Sequence, residues 1–171
     1  KRFSNSTEII NNLLSIYFIG LVLQISILFV LYTITLLIFV IKNAVVIAFL
    51  CALLNLIPYI GPMIGAVIMF LLSMSSNLGQ DFQTEILPTT LYVMIGYFIA
   101  QIVDNFGSQP LIFSKTTKSH PLEIFLIIII GGLLFGVIGM IIAVPLYTAL
   151  KVILKEFLAD NKIVKSLTKD I

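Results

Sequence analysis

Charged residues are scarce in this chain. They make up 11% of its 171 residues and apolar residues make up 60%, whereas about 25% of the residues in an ordinary soluble domain are charged. Long stretches carry no charge at all, among them residues 43–80, 86–103 and 124–150. In a soluble fold each buried face needs a polar face opposite it, which so much unbroken apolar sequence cannot supply. The composition excludes a soluble domain and predicts an all-α polytopic membrane protein embedded in a lipid bilayer.

Cysteine and histidine are also nearly absent. The single Cys51 excludes an internal disulfide, and its apolar surroundings predict inert packing. The single His120 excludes most metal sites, and there is no His-Glu-x-x-His pattern, Gly-rich phosphate loop or nucleophile elbow. Basic residues cluster only in the C-terminal tail, so nucleic-acid binding is not indicated. We therefore expect no enzyme activity, no cofactor and no metal site.

Two of four apolar segments are uninterrupted. Residues 16–41 form a run of 26 residues, which as a helix is roughly 39 Å long and crosses a hydrocarbon core of about 30 Å with some tilt. Residues 86–103 form a minimal span of 18 residues. Its Pro88 lies in the first turn, where a missing amide costs little. Both segments are predicted to cross the membrane.

The other two segments, 44–74 and 121–150, are interrupted by proline and glycine. Irregular backbone at membrane depth persists only where protein covers it or where it lines a wet cavity. Short, Gly/Pro-interrupted segments in matching positions of two halves indicate the binding site of a transporter. The glycines have a second interpretation, close packing of helices in lipid. The residues at these breaks, expected to line a substrate or ion path, are Asn55, Pro58, Gly61, Pro62 and Gly65 in the first segment and Gly131, Gly132, Gly136, Gly139 and Pro145 in the second.

The distribution of lysine and arginine favours re-entrant hairpins for the two broken segments. If all four segments cross once, seven basic residues fall on one side and three on the other. If the broken segments return to their own side, nine fall on one side and Lys42 stands alone. Cytoplasmic loops collect lysine and arginine, so we predict two full spans alternating with two re-entrant hairpins, with residues 75–85 outside.

The C-terminal tail has a different pattern. Residues 1–150 are predicted to form the transmembrane domain, and residues 151–171 a basic amphipathic helix with five lysines on one side. Such a helix suits the cytoplasmic lipid surface. The alternative is a solvated helix that packs against another domain.

Two sequence motifs resemble those of the autoinducer-2 exporter family of bacterial membrane proteins. The first is LNLIPYIGPMIG at residues 54–65. The second combines DN at 104–105, QP at 109–110, SHPL at 119–122, GGLLFGVIG at 131–139 and AVPL at 143–146. The resemblance implies a multi-pass inner-membrane transporter about twice this length, of which this chain is the C-terminal half. It also implies export of the quorum-sensing signal autoinducer-2 or sodium–proton antiport, and assembly as a homo-oligomer. Glu123 departs from the family pattern, which more often has an apolar residue there.

Ionisable residues near the ends of the segments are candidates for ion coupling. Asp104 ends the third segment, and with Gln101 one turn earlier and Asn105 beside it could coordinate a cation or a polyol. The alternative is that Asp104 caps the following turn. His120 and Glu123 could share a proton, since histidine titrates near neutral pH. Their alternative role is to start a helix at Pro121.

The sequence thus predicts a membrane transporter that exports a small polar solute such as autoinducer-2 and is coupled to a gradient of Na⁺ or H⁺. A sodium–proton antiporter and a non-transporting scaffold subunit are the alternatives. The predicted location is the bacterial inner membrane, with the tail in the cytoplasm.

Overall fold

The computed structural model describes residues 2–108 and 119–157, together with the isolated positions 163, 166 and 168. This part of the chain is helical and contains no β-strand. The helices are α1 (Arg2–Ile38), α2 (Ala44–Leu54), α3 (Ile60–Ser76), α4 (Leu87–Val103) and α5 (Pro121–Phe157). Two π-helical turns, Phe82–Ile86 and Asp104–Ser108, extend α4 at both ends.

The outer faces of these helices are apolar. Val22, Ile38 and Val103 are among many large apolar side chains that lie exposed on them. By length and composition three stretches could cross a membrane: Thr7–Ile38, Phe82–Ser108 and Pro121–Lys155. Lipid solvates an apolar surface that water would not, so the chain is a multi-pass membrane protein.

The first predicted span is longer than expected at its start and shorter at its end. Helix α1 begins at Arg2 and ends at Ile38, whereas the apolar run suggested residues 16–41. Val40 and Asn43 have positive φ angles of 53° and 57°, which turn the chain before α2. The second span agrees with its prediction to within one residue, and Pro88 does lie in the first turn of α4.

The predicted interruption of the segment 44–74 is confirmed, but it is smaller than expected. Helix α2 ends at Leu54 and α3 begins at Ile60, so only residues 55–59 are non-helical. Gly61 and Pro62 lie inside the first turn of α3, a place where proline is tolerated. Tyr59 has a φ of 64°, a strained conformation for a non-glycine residue that neighbouring contacts must hold in place.

The predicted breaks in the segment 121–150 reduce to one. Only Gly136 departs from helical geometry, with φ 65° and ψ −146°. Gly131, Gly132, Gly139 and Pro145 all lie within helix, so the expectation that they interrupt it was wrong.

Helix α5 folds back on itself at Gly136. In a straight helix, Glu123 and Lys151 would be separated by roughly 42 Å, yet their charged atoms lie 3.0 Å apart. The backbones of Gly131 and Gly139 also meet, because a side-chain carbon added at either glycine would clash with the carbonyl of the other. Residues 121–135 and 137–157 are therefore the two arms of a helical hairpin, the second hairpin, although length and composition alone make α5 a candidate span.

The described helices group into two units. One contains α1 up to Leu21 together with α5, and the other extends from Val22 to Gln109. In the first unit, Leu14 and Tyr17 of α1 line a small apolar cavity with Pro145 and Thr148 of α5. In the second, the core consists of apolar residues from α1 to α4, with Leu28, Cys51 and Val93 fully buried.

The predicted boundary of the tail at residue 151 does not match the end of α5. The helix continues through Phe157, and Lys151 is buried rather than part of a basic surface. Most of the predicted amphipathic helix, from residue 158 onwards, lies outside the described residues.

Candidate functional site

Helices α1 and α4 present buried polar side chains to each other. Gln24 and Tyr32 lie on one face of α1, about two turns apart. Tyr97, Gln101 and Asp104 follow one another at spacings of four and three residues, which places them on one face of α4. A polar face inside an apolar helix pair is expensive in lipid and marks a functional candidate.

Three contacts show that α1 and α4 pack antiparallel. The Gln24 amide nitrogen donates to an Asp104 carboxylate oxygen at 2.7 Å. Gly96 lies against Thr35, since a side-chain carbon at Gly96 would be 2.3 Å from the Thr35 methyl carbon. At the far end, the rings of Phe39 and Tyr92 stack with centroids 5.8 Å apart. The missing side chain of Gly96 allows this close approach.

Helices α2 and α3 form the first hairpin, defined by residues 44–76. The Lys42 backbone amide donates to the Ser76 hydroxyl at 2.7 Å, which joins the two ends of this hairpin at its base. Halfway along, the Cys51 thiol lies 3.7 Å from the Gly65 carbonyl oxygen. At the tip, Gly61 fits against the Leu54 carbonyl so closely that any side chain would overlap it.

The tip of the first hairpin contacts the polar face of α1 and α4. Gln101 lies in the last turn of α4, and Tyr32 lies about two turns before the end of α1. The Gln101 amide nitrogen donates to Asn55 Oδ1 at 3.1 Å and to the Tyr32 hydroxyl at 2.7 Å. Asn55 is the residue that ends α2, so the tip is held between the two long helices.

Tyr32 and Tyr97 complete this tip network, which we define as Tyr32, Asn55, Tyr97 and Gln101. Their rings stack with centroids 5.0 Å apart. The Tyr97 hydroxyl accepts from Gln101 Nε2 at 3.2 Å and donates to the Pro62 carbonyl oxygen at 2.7 Å. The network is uncharged and is anchored on both helices of the first hairpin.

Two buried side-chain oxygens on the polar face of α1 and α4 lack a hydrogen-bond donor among the described residues. They are Oε1 of Gln24 and Oε1 of Gln101, and the second belongs to the tip network. A buried acceptor without a donor costs free energy. The orientation of each side-chain amide is fixed, because its nitrogen already donates to an oxygen. Such oxygens can accept from a hydroxyl group or bind a cation.

Asp104 is a buried carboxylate, and its neighbours differ from those that the sequence suggested. It is fully buried where α4 passes into the π-helical turn. Gln24, which was not among the predicted site residues, is its amide donor. Asn105 is exposed, unlike the buried Gln101 and Asp104, so it does not belong to this buried group.

The break residues of the first hairpin have different roles. Asn55 belongs to the tip network, and Pro58 lies within the non-helical turn. Gly65 lies one turn into α3, where a side-chain carbon would come 2.8 Å from the Tyr97 hydroxyl. Gly61 and Gly65 therefore serve close packing, whereas Pro62 offers its carbonyl to Tyr97.

His120 and Glu123 belong to the base of the second hairpin and do not share a hydrogen bond. His120 Nδ1 accepts from the Leu122 amide at 3.3 Å, and its carbonyl accepts from the Glu123 amide at 2.9 Å. This is the helix-start role that the sequence left as the alternative. The Glu123 carboxylate instead accepts from Lys151 at 3.0 Å and from the Tyr147 hydroxyl at 3.1 Å.

One glycine of the second hairpin forms its turn, and the others allow close packing of its arms. Gly136 forms the turn with its positive φ. Gly131 and Gly139 allow backbone contact between the arms, and Gly132 packs against Met140. Among the described residues no group of three or more His, Cys, Asp and Glu side chains could hold a metal ion.

Gln24, Tyr32 and Tyr97 were not predicted as site residues. A sequence signal for them exists: 24, 28, 32 and 36 are spaced by four residues, as are 93, 97 and 101, so each set marks one helical face. Only packing shows that these two faces meet.

Long apolar helices, two helical hairpins and a buried polar network at one hairpin tip define a multi-pass membrane protein of the transporter type. The chain belongs to the AI-2E transporter family, whose sequence model matches residues 1–159. The family resemblance predicted from the two motifs is thereby confirmed.

Three relatives are similar over part of their length. The "Putative transport protein YrrI" of Bacillus subtilis (strain 168) is 33% identical over 158 residues, which cover 92% of this chain and 42% of that protein. The "Putative transport protein YueF" of the same organism is 32% identical over 63% of this chain and 27% of its own length. The "Putative transport protein MT0215" of Mycobacterium tuberculosis (strain CDC 1551 / Oshkosh) is 32% identical over 49% of this chain and 22% of its own length. The chain spans less than half the length of these relatives, and no solved structure matches it.

Proposed function

We propose that the protein exports a small polar solute such as autoinducer-2 across the bacterial inner membrane, driven by an ion gradient. The observation that carries this proposal is the tip network, in which Asn55 joins the first hairpin to Tyr32 of α1 and Gln101 of α4. Membership of a transporter family supports it. The homo-oligomeric state and the cytoplasmic tail belong to the same proposal.

The first hairpin is proposed to be re-entrant. Its base is joined at Lys42 and Ser76, so both ends lie at the same level. Helices α2 and α3 have 11 and 17 residues, or about 16 and 26 Å, and neither alone spans a core of about 30 Å. The tip then lies inside the membrane, where its free backbone groups need polar partners.

The tip network suits an uncharged, hydroxyl-bearing solute. Its members are two phenols and two amides, and the Oε1 atom of Gln101 is a buried acceptor without a donor among the described residues. A solute hydroxyl can donate to that oxygen, and a second solute oxygen can accept from Gln101 Nε2 in place of Asn55 Oδ1. Entry of solute would thereby loosen the tip, and its departure would restore the contact.

Asp104 is proposed to couple export to an ion. Its buried carboxylate is held by Gln24 within one turn of Gln101, so a cation or proton bound there acts on the same helix face as the solute. The same carboxylate carries the second candidate function, sodium–proton antiport without an organic solute.

Reconstituted vesicles test these functions. Efflux of autoinducer-2 that depends on an ion gradient supports the proposal. Sodium-dependent proton movement in everted vesicles without solute flux favours the antiporter. A protein that moves neither is a scaffold subunit, and the proposal fails. Asp104→Asn should weaken flux while membrane insertion stays intact, and Gln80→Ala, at an exposed site, should leave flux unchanged.

A further inference from the structure

The base of the second hairpin contains an ion pair outside the tip network, between a buried lysine and a partly exposed glutamate. The Lys151 ammonium is nearly fully buried, and it donates to the Glu123 carboxylate at 3.0 Å and to the Ser119 hydroxyl at 2.9 Å. It also lies 4.9 Å from the centroid of the Tyr147 ring, a favourable position for a cation. We call Ser119, Glu123, Tyr147 and Lys151 the base cluster.

Residues of the two arms face each other in the same order at the base cluster as at the glycines near the turn. Gly131 faces Gly139, Glu123 faces Tyr147, and Ser119 faces Lys151. In every pair the two residues lie nearly equally far from Gly136. One antiparallel register therefore extends from the turn to the base.

Apolar packing alone specifies this register weakly. The buried residues between the arms, such as Ile124, Ile128 and Val144, are aliphatic, and lipid gives such surfaces no hydrophobic reason to prefer one neighbour over another. A slide of one arm by one turn would exchange similar contacts. It would, however, separate Lys151 from Glu123 or bring the ammonium beside the apolar Ile127.

We propose that Glu123 and Lys151 are positioning residues that fix the register of the second hairpin, and hence the position of its Gly136 turn. The ion pair is directional and its Lys151 ammonium is buried while the Glu123 carboxylate is partly exposed, so a slipped register leaves the buried ammonium without its partner. This also gives a role to Glu123, which departs from the family pattern, and removes Lys151 from the basic tail.

Cysteine cross-linking measures the register directly. In a Cys51→Ala background, Ile128→Cys is combined with Val144→Cys, which reports the observed register, or with Met140→Cys or Thr148→Cys, which report slides of one turn. We expect cross-linking mainly between 128 and 144 in the otherwise unchanged protein. In Glu123→Gln and Lys151→Met, cross-linking to 140 or 148 should rise several-fold at the expense of 144.

Two controls separate register from general damage. Lys42→Met and Glu85→Gln remove exposed charges and should leave the pattern unchanged. The exchange Glu123→Lys with Lys151→Glu should restore the 128–144 cross-link, and should also restore accumulation if the single variants fail to accumulate. An unchanged pattern in the single variants, or an exchange that restores neither, would overturn the proposal. The readout is independent of what the protein transports, so this proposal and the proposed function can fail separately.

Discussion

The side-chain nitrogen of Gln101 lies 3.1 Å from the side-chain oxygen of Asn55, and this hydrogen bond joins α4 to the tip of the first hairpin. Both residues are nearly fully buried. Because Asn55 also ends α2, a change at this contact acts on a backbone break and on a long helix at once. It is therefore the point at which solute binding and hairpin movement can be coupled.

Asn55 and Gln101 should be energetically coupled. Asn55→Ala and Gln101→Ala each remove a buried hydrogen bond, which costs about 1–3 kcal/mol when a partner is left unsatisfied. The double variant should be less destabilised than the sum of the two, by about 0.5–3 kcal/mol. Thermal unfolding in detergent measures this. Gln80→Ala combined with Asn55→Ala serves as the control and should be additive; additivity between Asn55 and Gln101 would contradict the tip network.

Gly96→Ala should destabilise the protein. The added methyl group would come 2.3 Å from the Thr35 methyl carbon, and overpacking of this kind costs about 1–3 kcal/mol. Thr35→Ala should recover most of the loss because it removes that methyl group. Gly107→Ala is the matched control, since nothing lies within 4 Å of the added carbon. A Gly96→Ala protein with unchanged unfolding temperature would refute the close packing of α1 and α4.

Asp81 should contribute its full stability above its ordinary pKa and lose it in more acidic solution. Its carboxylate accepts from the backbone amides of Thr84 and Gln83 at 3.0 and 2.9 Å. These bonds, that of Thr84 foremost, lower the pKa of Asp81 below its usual value. A lowered native pKa means that the stabilisation is present above the unfolded-state pKa, about 3.9, and is lost as pH falls through the native value.

Asp81→Ala should therefore lower the unfolding temperature at pH 7 and have little effect at the acid end of the scan. Asp81→Asn should retain part of the cap, since an amide oxygen still accepts from the same backbone groups. Unfolding temperatures across the acid range measure the difference. An effect of Asp81→Ala that is equal at all pH values would show that the charged form has no special role.

Membrane topology follows from the proposed re-entrant hairpins. Single cysteines at Gln80, Thr117 and Ser166, each in a Cys51→Ala background, should label with impermeant reagents from different sides. We expect Gln80 outside and both Thr117 and Ser166 in the cytoplasm. Labelling of Thr117 and Ser166 from opposite sides would show that α5 crosses the membrane instead of turning back within it.

Composition was sufficient to predict the helical membrane fold, and proline and glycine marked the break between α2 and α3. The small number of charged residues indicated a lipid environment. Pro58 indicated the turn between α2 and α3. The sequence could not show that Gly136 alone turns the second hairpin, because Gly131 and Gly139 serve contact between arms that exist only after folding. The predicted break at Pro145 was wrong for a related reason: a helix can accommodate a proline when neighbouring groups form hydrogen bonds with the freed backbone.

The site was predictable only in part. Asp104 and Gln101 were named because they are polar residues near the end of an apolar segment, and Asn55 because it lies at a predicted break. Their partners Tyr32 and Tyr97 were missed because tyrosine in a span is usually read as an interface residue. Hydrogen bonds between residues 23 to 69 positions apart, such as that from Gln101 to Tyr32, follow from helix packing and not from local pattern.

Reversible cross-linking of the first hairpin tests most directly whether its tip moves during transport. Asn55→Cys and Gln101→Cys in the Cys51→Ala background are joined by a short bismethanethiosulfonate, and flux of autoinducer-2 and sodium-dependent proton movement are both followed in vesicles. The uncross-linked pair must first retain measurable flux. The account predicts that flux stops on cross-linking and returns when a reducing agent cleaves the linker. Undiminished flux through the fully cross-linked protein would contradict it.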